Sequence, residues 1–240
     1  MKLFLRLKNL IRSIGAMINT PPVQLPPHCS NINALLLHLC NFDSELHMWA
    51  LRWIAYPLRH PGAKMATCLL INGSPGTGMS LFFEGVVAKL YGDDARVMPG
   101  RALLGYFNSW AEGARFVIID GGHSTHKSAA AQIKRLITSE RTLIHAKFKD
   151  RKMAENQMNF VFITGEINAI PVGPNDHRFM VIEAPPPQET FFYRAVYDEI
   201  QNGGVDAFRQ YLTVELDMAD FDEHTMPPAA PHYRGDREAA

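Results

Sequence analysis

The stretch LLINGSPGTGMSLFFEG, residues 69–85, has the residue types and spacing of a phosphate-binding loop. It matches the pattern G-x-x-x-x-G-K-[ST] at every fixed position except the lysine, which is replaced by Met79. In such a loop, glycines turn backbone N–H groups towards phosphate oxygens, and a serine holds magnesium. The alternative is a glycine-rich turn without a ligand. The pattern predicts ATP contacts from Gly73, Gly76, Thr77, Gly78, Met79 and Ser80, with Ser80 as a Mg²⁺ ligand.

The missing lysine predicts a chemical defect. Methionine has a similar length, but it carries no charge and no hydrogen-bond donor. A hydrogen bond to a charged group contributes about 1.5–3 kcal/mol. Loss of one transition-state donor costs on the order of 10²–10³ in rate. We therefore expect that nucleotide binding survives weakly and that turnover is reduced more severely.

A second acidic element follows the loop, in FVIIDGG, residues 116–122. An apolar strand that ends in an acid places Asp120 at the carboxyl end of its strand, beside the phosphate loop. There it would bind Mg²⁺ or orient its water, as a metal ligand and catalytic residue. The next position normally carries a glutamate that polarises water, and here it is Gly121. The alternative is a surface aspartate at a strand end.

A basic segment lies between Lys134 and Lys152, where seven basic and two acidic residues give a formal charge of plus five. Its HAKFKDRKM portion is typical of an exposed hairpin. Cations neutralise phosphates and an aromatic ring stacks on a base, so the segment predicts contacts with single-stranded DNA. The alternative is a solvated surface loop. The predicted DNA-binding residues are Lys147, Phe148, Lys149, Arg151 and Lys152.

The elements that position these residues alternate along the chain. Apolar strands are predicted in ATCLLING, ARFVIIDG, MNFVFITG and HRFMVIEA, with helices in MSLFFEGVVAKLYG and KSAAAQIKRLITSE. This alternation predicts an α/β fold with a mostly parallel sheet flanked by helices. Two further helices precede this core, in INALLLHLC and in SELHMWALRWIAYPLRHPG, the second ended by Pro57 and Pro61. A helical tail follows it.

The predicted boundaries are an amphipathic basic helix at 1–20, a proline-rich linker and helical segment at 21–60, the core at 61–185, and a helical tail with a mobile C-terminus at 186–240. Acidic and basic residues balance at 24 each, so any affinity for nucleic acid must come from a local patch. Three cysteines without close spacing favour a reducing compartment over a disulfide framework or a zinc site. No apolar run is long enough to span a bilayer.

The order of these elements resembles the helicase module of phage and plasmid primase-helicases, the superfamily three helicases of the AAA+ class. The resemblance covers about residues 49–228. It includes the segments WIAYPLRHPGAKMATCLLINGSPGTG, IKRLITSERTLIHAKFKDRKMAENQMNFVFIT and NDHRFMVIEAP. It implies an AAA+-type core, ATP and Mg²⁺ as cofactors, a ring that is often a hexamer, movement on single-stranded DNA, and a bacterial cytoplasmic location. It also implies that Arg178 is a catalytic finger that reaches the nucleotide of a neighbouring subunit.

Departures from this pattern gather around the γ-phosphate: Met79 replaces the lysine, Gly121 the glutamate, Gly165 the sensor asparagine and His177 one of a pair of arginines. We interpret the chain as an impaired or inactive ATPase that acts through DNA binding or through assembly with a related ring helicase. The alternative is an active ATP-dependent helicase in which Lys64, or Arg101 of a neighbour, replaces the lysine. A remnant without a selected function is the third possibility.

Overall fold

The computed structural model describes residues 27–103, 105–121, 127–165, 170, 172 and 176–228. The predicted N-terminal helix at 1–20 and the predicted mobile end after residue 228 lie outside this range. Among the described residues, no helix is long and apolar enough to cross a membrane.

Five parallel strands form the central sheet, in the order β2-β3-β6-β1-β7. Four of them are the strands predicted from apolar runs. The fifth, β2, was not predicted, because it lies at the sheet edge and its residues are only partly covered. The strands are β1 (Cys68–Asn72), β2 (Ala95–Pro99), β3 (Phe116–Asp120), β6 (Asn159–Thr164) and β7 (Phe179–Glu183).

Alternate side chains of each strand enter two separate cores, one on each face of the sheet. In β1, Leu69 and Ile71 join one core, whereas Cys68 and Leu70 join the other. Because both faces are covered, the strands read as continuous apolar runs. The predicted α/β class, with a mostly parallel sheet flanked by helices, is therefore confirmed.

The first core is closed by helices from both ends of the described chain. They are α1 (Ser30–Leu39), α2 (Ser44–Arg59), α3 (Met79–Phe82, a π-helical turn at Phe83–Val87, and Ala88–Tyr91), α6 (Thr190–Gln201) and α7 (Gly204–Gln210). Segments predicted as flanking regions thus pack directly on the sheet. The boundaries at 61 and 185 stay a prediction.

The end of α2 corrects one expectation. Pro57 and Pro61 were predicted to end this helix, but the helix includes Pro57 and ends at Arg59, two residues before Pro61. Proline in the last turn removes one backbone donor only. Arg59 also holds the helix end against the tail, donating to the Leu212 and Leu216 carbonyls at 2.8 and 2.6 Å.

The second core lies under α5 (Lys127–Thr138) and an antiparallel hairpin made of β4 (Arg141–Ile144) and β5 (Lys152–Glu155). The predicted hairpin therefore exists. A short helix, α4 (Gly100–Leu103), follows β2. Since all five sheet strands are parallel, their carboxyl ends meet at one edge, which carries the glycine loop and Asp120.

Candidate nucleotide site and nucleic-acid interface

The loop between β1 and α3 has the backbone of a phosphate cradle. Gly76 and Gly78 have φ angles of 91° and 92°, which side chains rarely adopt. A Cβ on Gly78 would meet Leu35 Cδ1 at 2.8 Å and Tyr193 Cε1 at 2.9 Å. Two glycines are therefore required by geometry, which favours a built loop over a chance run of glycines.

The side chains of the loop meet the acid of β3. Ser80 Oγ lies 3.4 Å from Asp120 Oδ2, so the two predicted magnesium ligands are brought together. Thr77 is fully buried, and its hydroxyl has no hydrogen-bond partner among the described residues. Such an orphaned group in a loop of this shape is expected where a ligand completes the site.

Glu84, which the sequence analysis did not single out, joins this group from the next turn of α3. Its carboxyl is within hydrogen-bonding reach of both Asp120 and Ser80. Burial and the neighbouring Asp120 raise the pKa of Glu84, and the Ser80 hydroxyl partly offsets this. Glu84 and Ser80 are four residues apart and so share one helix face, a signal that was present in the sequence.

The glycine loop, Ser80 and Asp120 line a pocket of about 490 Å³ at the carboxyl edge of the sheet, and Glu84 lies just outside its lining. Its size suits a small-molecule ligand. No lysine, arginine or histidine lines it among the residues that the structure describes. The lining residues are Gly73, Pro75, Gly76, Thr77, Gly78, Met79, Ser80, Leu81, Asp120, Ile163, Thr164, Gly165 and Tyr193.

The substituted positions have distinct structural settings. Met79 is half-buried and packs against the first core. Gly121 has a φ of 55°, so a glutamate at this position would strain the backbone. A Cβ on Gly165 would lie 3.4 Å from the Gly73 carbonyl oxygen, an ordinary contact distance, so the backbone here does not exclude the expected asparagine. The neighbouring Asn168 lies outside the described residues.

Lys64 was one hypothetical replacement for the missing lysine, and its position contradicts that hypothesis. It precedes β1 and therefore lies at the amino edge of the sheet, about 16 Å of strand away from the loop. Its Nζ donates to the Met158 carbonyl at 2.8 Å and to the Leu136 carbonyl at 3.2 Å. Burial lowers the pKa of Lys64 to about 8. Arg101 follows β2 and is exposed.

Arg178 lies at the same amino edge, immediately before β7. It forms a two-point ion pair with Asp176, at 2.6 Å through Nε and 2.9 Å through Nη2. Lys134 Nζ also contacts Asp176, at 2.8 Å. Arg178 is therefore remote from the pocket of its own chain, so a catalytic contact would have to be made with a neighbouring subunit.

The tip of the hairpin presents the predicted DNA-binding residues to solvent. Phe148 is 92% exposed and has a positive φ of 63°, and Lys147 Nζ lies 4.8 Å from the centre of its ring. Lys149 is exposed as well. Lys152 instead forms an ion pair with Glu112, which neutralises part of its charge. The five residues thus lie on one surface, where Lys152 is held by an ion pair while Lys147 and Lys149 are exposed to solvent.

An aromatic cluster beside the hairpin was missed by the sequence analysis. Tyr106 is 71% exposed, and its ring lies 5.0 Å from Phe107 and 4.6 Å from His145. Arg151 donates to the Tyr106 hydroxyl at 3.0 Å. The adjacent YF pair was a visible signal, but its distance in sequence from the basic segment concealed the contact. We call Tyr106, Phe107, His145 and Phe148 the aromatic surface.

Asn108 fixes the aromatic surface to the hairpin. Its side chain accepts from the His145 N–H at 2.6 Å and donates to the Leu143 carbonyl at 2.7 Å. Next to it, a second pocket of about 600 Å³ separates α5 from the hairpin and includes Arg135 and Arg141. Neither arginine side chain has an ion-pair partner among the described residues.

Comparisons with known proteins show which fold this chain shares. A model described as "Family of unknown function (DUF5906)" matches residues 71–178, which is less than half of the chain. No curated protein sequence matches. The apo structure of the NrS-1 C-terminal region (305–718) has 20% sequence identity, with a TM-score of 0.70, and the match covers 82% of this chain and 48% of that one. The A-form apo structure of the same region has 22% identity and a TM-score of 0.70, with coverage of 83% and 48%.

At these identities the two structures show a shared fold. The chain spans about half of the length of the solved structures that it matches.

Proposed function

We propose that this chain is a helicase-like AAA+ module of a phage-type replication protein, which binds nucleotide with Mg²⁺ but hydrolyses it slowly or not at all. It acts through single-stranded DNA and through assembly, either with itself or with an active ring helicase. The observation that carries the proposal is the 3.4 Å distance between Ser80 Oγ and Asp120 Oδ2 beside the glycine loop. Among the described residues, no lysine, arginine or histidine lines the pocket at this point. The likeness to the NrS-1 C-terminal region supports a phage replication protein at a coarse level.

The residues present fit ATP and Mg²⁺ as binding partners. The glycine backbone of the loop offers N–H donors to phosphate oxygens, and the buried Thr77 hydroxyl has no hydrogen-bond partner within the described part of the chain. Ser80 and Asp120 would hold Mg²⁺, which would supply positive charge to the phosphates when bound. Hard oxygen donors of this kind are the ligands that Mg²⁺ prefers.

Among the residues that the structure describes, this site lacks the groups that the resemblance assigns to hydrolysis. Met79 donates nothing to the phosphates, and Lys64 is directed to carbonyls at the opposite edge of the sheet. Gly121 carries no base for the attacking water, and Arg178 is engaged by Asp176. Catalysis of phosphoryl transfer consists mainly of positioning and charge stabilisation. Loss of these groups therefore affects the rate more than it affects binding.

The hairpin supports a role on single-stranded DNA. Lys147 and Lys149 can neutralise phosphates, and the exposed rings of the aromatic surface can stack on bases. Arg135 and Arg141 extend the positive surface along the second pocket. Because stacking and charge do not distinguish bases well, this surface favours binding without sequence preference.

The nucleotide part of the proposal is tested by comparing the protein with its Met79→Lys variant. ATP turnover in the presence of Mg²⁺ should be at background in the protein itself. Met79→Lys should tighten ATP binding by about tenfold or more, the effect of one charge-assisted hydrogen bond. Met79→Leu is the matched control and should leave ATP binding unchanged. Robust turnover by the unmodified protein would instead support the active helicase.

The DNA part is tested with the aromatic surface. Tyr106→Ala should weaken binding to a single-stranded oligonucleotide by about 1–3 kcal/mol, the usual loss for one stacked base. Tyr197 is also exposed, at 54%, but lies on α6, so Tyr197→Ala is the control. Equal affinities of both variants would assign the aromatic surface to another role.

The assembly part is tested by mixing the chain with an active superfamily three helicase. We expect that the mixture forms a joint ring, detected by native mass spectrometry, or lowers unwinding by the active partner. An Arg178→Ala variant should still assemble, since Arg178 pairs with Asp176 of its own chain. Neither joint assembly nor inhibition would contradict the hetero-assembly form of the proposal.

A further inference from the structure

The phosphate loop of this chain lies in an unusual electrostatic setting. Asp120 lines the pocket, Glu84 contacts Asp120, and Glu183 lies beside the loop, where it accepts from Asn72 Nδ2 at 3.2 Å. No described lysine, arginine or histidine lines the pocket to balance these carboxylates. A nucleotide polyphosphate that enters alone would therefore meet only like charge from the side chains.

Three oxygen-bearing side chains meet at the border of this pocket: Ser80 and Asp120 line it, and Glu84 lies behind them, next to both. Ser80 and Glu84 project from the same face of α3, and Asp120 faces them from the end of β3. The buried Thr77 hydroxyl, which has no partner among the described residues, lines the same pocket. Two carboxylates and a hydroxyl are a hard donor set, suited to Mg²⁺ or Mn²⁺.

We propose that Glu84 completes a divalent-cation site with Ser80 and Asp120, and that this site makes the binding of nucleoside polyphosphates strictly dependent on the cation. The second part rests on the proposed nucleotide-binding function. In a loop with a lysine, the side chain supplies positive charge to the phosphates. In this chain the cation is the source of positive charge, and Glu84 adds the negative charge that retains it.

The physical reason is the sign of the local charge. Without the cation, Glu84 and Asp120 repel a polyphosphate that lies a few ångströms away. At an effective dielectric constant between those of protein and water, this repulsion lowers the affinity for the polyphosphate by about several-fold to tenfold. With the cation, the same carboxylates become ligands and their charge is offset. One residue, Glu84, therefore affects affinity in opposite directions in the two conditions.

The first experiment measures Mn²⁺ binding to the full chain without nucleotide, by electron paramagnetic resonance. Glu84→Gln should weaken Mn²⁺ binding by roughly tenfold, because the variant loses a charged ligand at nearly constant volume. Glu45→Gln, at an exposed position at the start of α2, is the control and should bind Mn²⁺ as the unmodified protein does. Unchanged Mn²⁺ binding in a folded Glu84→Gln protein would overturn the inference.

The second experiment titrates a fluorescent ADP analogue with Mg²⁺ and, separately, with EDTA. The unmodified protein should bind only with Mg²⁺, whereas Glu84→Gln should gain about fivefold in the affinity measured with EDTA. Equal binding with and without Mg²⁺ in the unmodified protein would overturn the cation dependence. Circular dichroism of each variant establishes that it is folded.

The two experiments separate this inference from the proposed function. Glu84-dependent Mn²⁺ binding without any nucleotide binding would retain the cation site and overturn the nucleotide function. Nucleotide binding that is insensitive to Glu84→Gln in both conditions would retain the function and overturn the inference.

Discussion

The pocket at the carboxyl edge of the sheet and the hairpin surface have opposite chemistry. The pocket keeps a strained glycine backbone but has no described cationic lining, whereas the hairpin concentrates cations around exposed rings. In the pocket, geometry is retained at positions where a side chain would clash, such as Gly78, while the reactive side chains differ. On the hairpin, the exposed ring of Phe148 and the charge of Lys147 lie side by side at the turn. The two regions therefore differ in what they combine: the pocket has the backbone of a phosphate loop without described cations, and the hairpin has exposed cations beside aromatic rings.

This contrast also explains why the missing lysine leaves the loop intact. Met79 packs against the first core, so its apolar side chain contributes to folding at the start of α3. The loop is held by contacts with Leu35 of α1 and Tyr193 of α6, neither of which depends on a phosphate. The fold of this segment therefore does not depend on a lysine at position 79.

The largest expected effect concerns the packing of the phosphate loop in the pocket. Gly78→Ala should lower the free energy of unfolding by about 2–4 kcal/mol, since it combines a positive φ with overpacking against Leu35 and Tyr193. Urea denaturation followed by circular dichroism measures the change. Gly113→Ala is the control: Gly113 also has a positive φ, of 69°, but no atom lies within 4 Å of an added Cβ. Equal losses for the two variants would show that packing around the loop is unimportant.

The next effect concerns the affinity of the hairpin for single-stranded DNA. Lys147→Ala combined with Lys149→Ala should weaken single-stranded DNA binding on the order of tenfold and reduce the salt slope by about one to two units, because two phosphate contacts are lost. Fluorescence anisotropy at several salt concentrations measures both quantities. Lys89→Ala, at an exposed position on α3, is the control. An unchanged slope would assign the basic segment to a solvated surface.

The smallest effect concerns the charges at the amino edge of the sheet, which belong to neither region. Burial alone would raise the pKa of Asp176. Hydrogen bonds from Arg178 and Lys134 outweigh this effect and lower the pKa from 3.8 to about 2. A lowered pKa stabilises the fold above the unfolded value, and this contribution is lost as the pH falls towards 2. Between pH 5 and pH 2, the unmodified protein should lose about 1–2 kcal/mol more stability than Asp176→Asn.

Chemical denaturation across this pH range measures the difference. Asp206→Asn, at an exposed position on α7, is the control and should follow the unmodified protein. Parallel pH curves for the unmodified protein and Asp176→Asn would show that the pair with Arg178 is weak, and that Arg178 is free to contact a neighbouring subunit.

The sequence predicted the sheet because buried parallel strands are written as apolar runs, as in residues 116–120 and 159–164. It did not predict β2, since an edge strand with partly exposed residues lacks that signal. The proximity of Ser80 and Asp120 followed from the rule that parallel strands end at one edge. Tyr106 and His145 are separated by the whole of β3 and α5, so only the tertiary fold reveals their contact. Glu84 was missed because the loop pattern ends at Ser80.

The most direct test of the central claim is calorimetric titration of the unmodified protein with ATP and Mg²⁺, with phosphate release followed in the same sample. We expect saturable ATP binding that is weaker than that of Met79→Lys, without phosphate release above background. Steady phosphate release by the unmodified protein would contradict the loss of catalysis. Absence of binding in both the unmodified protein and Met79→Lys would contradict the retained nucleotide site.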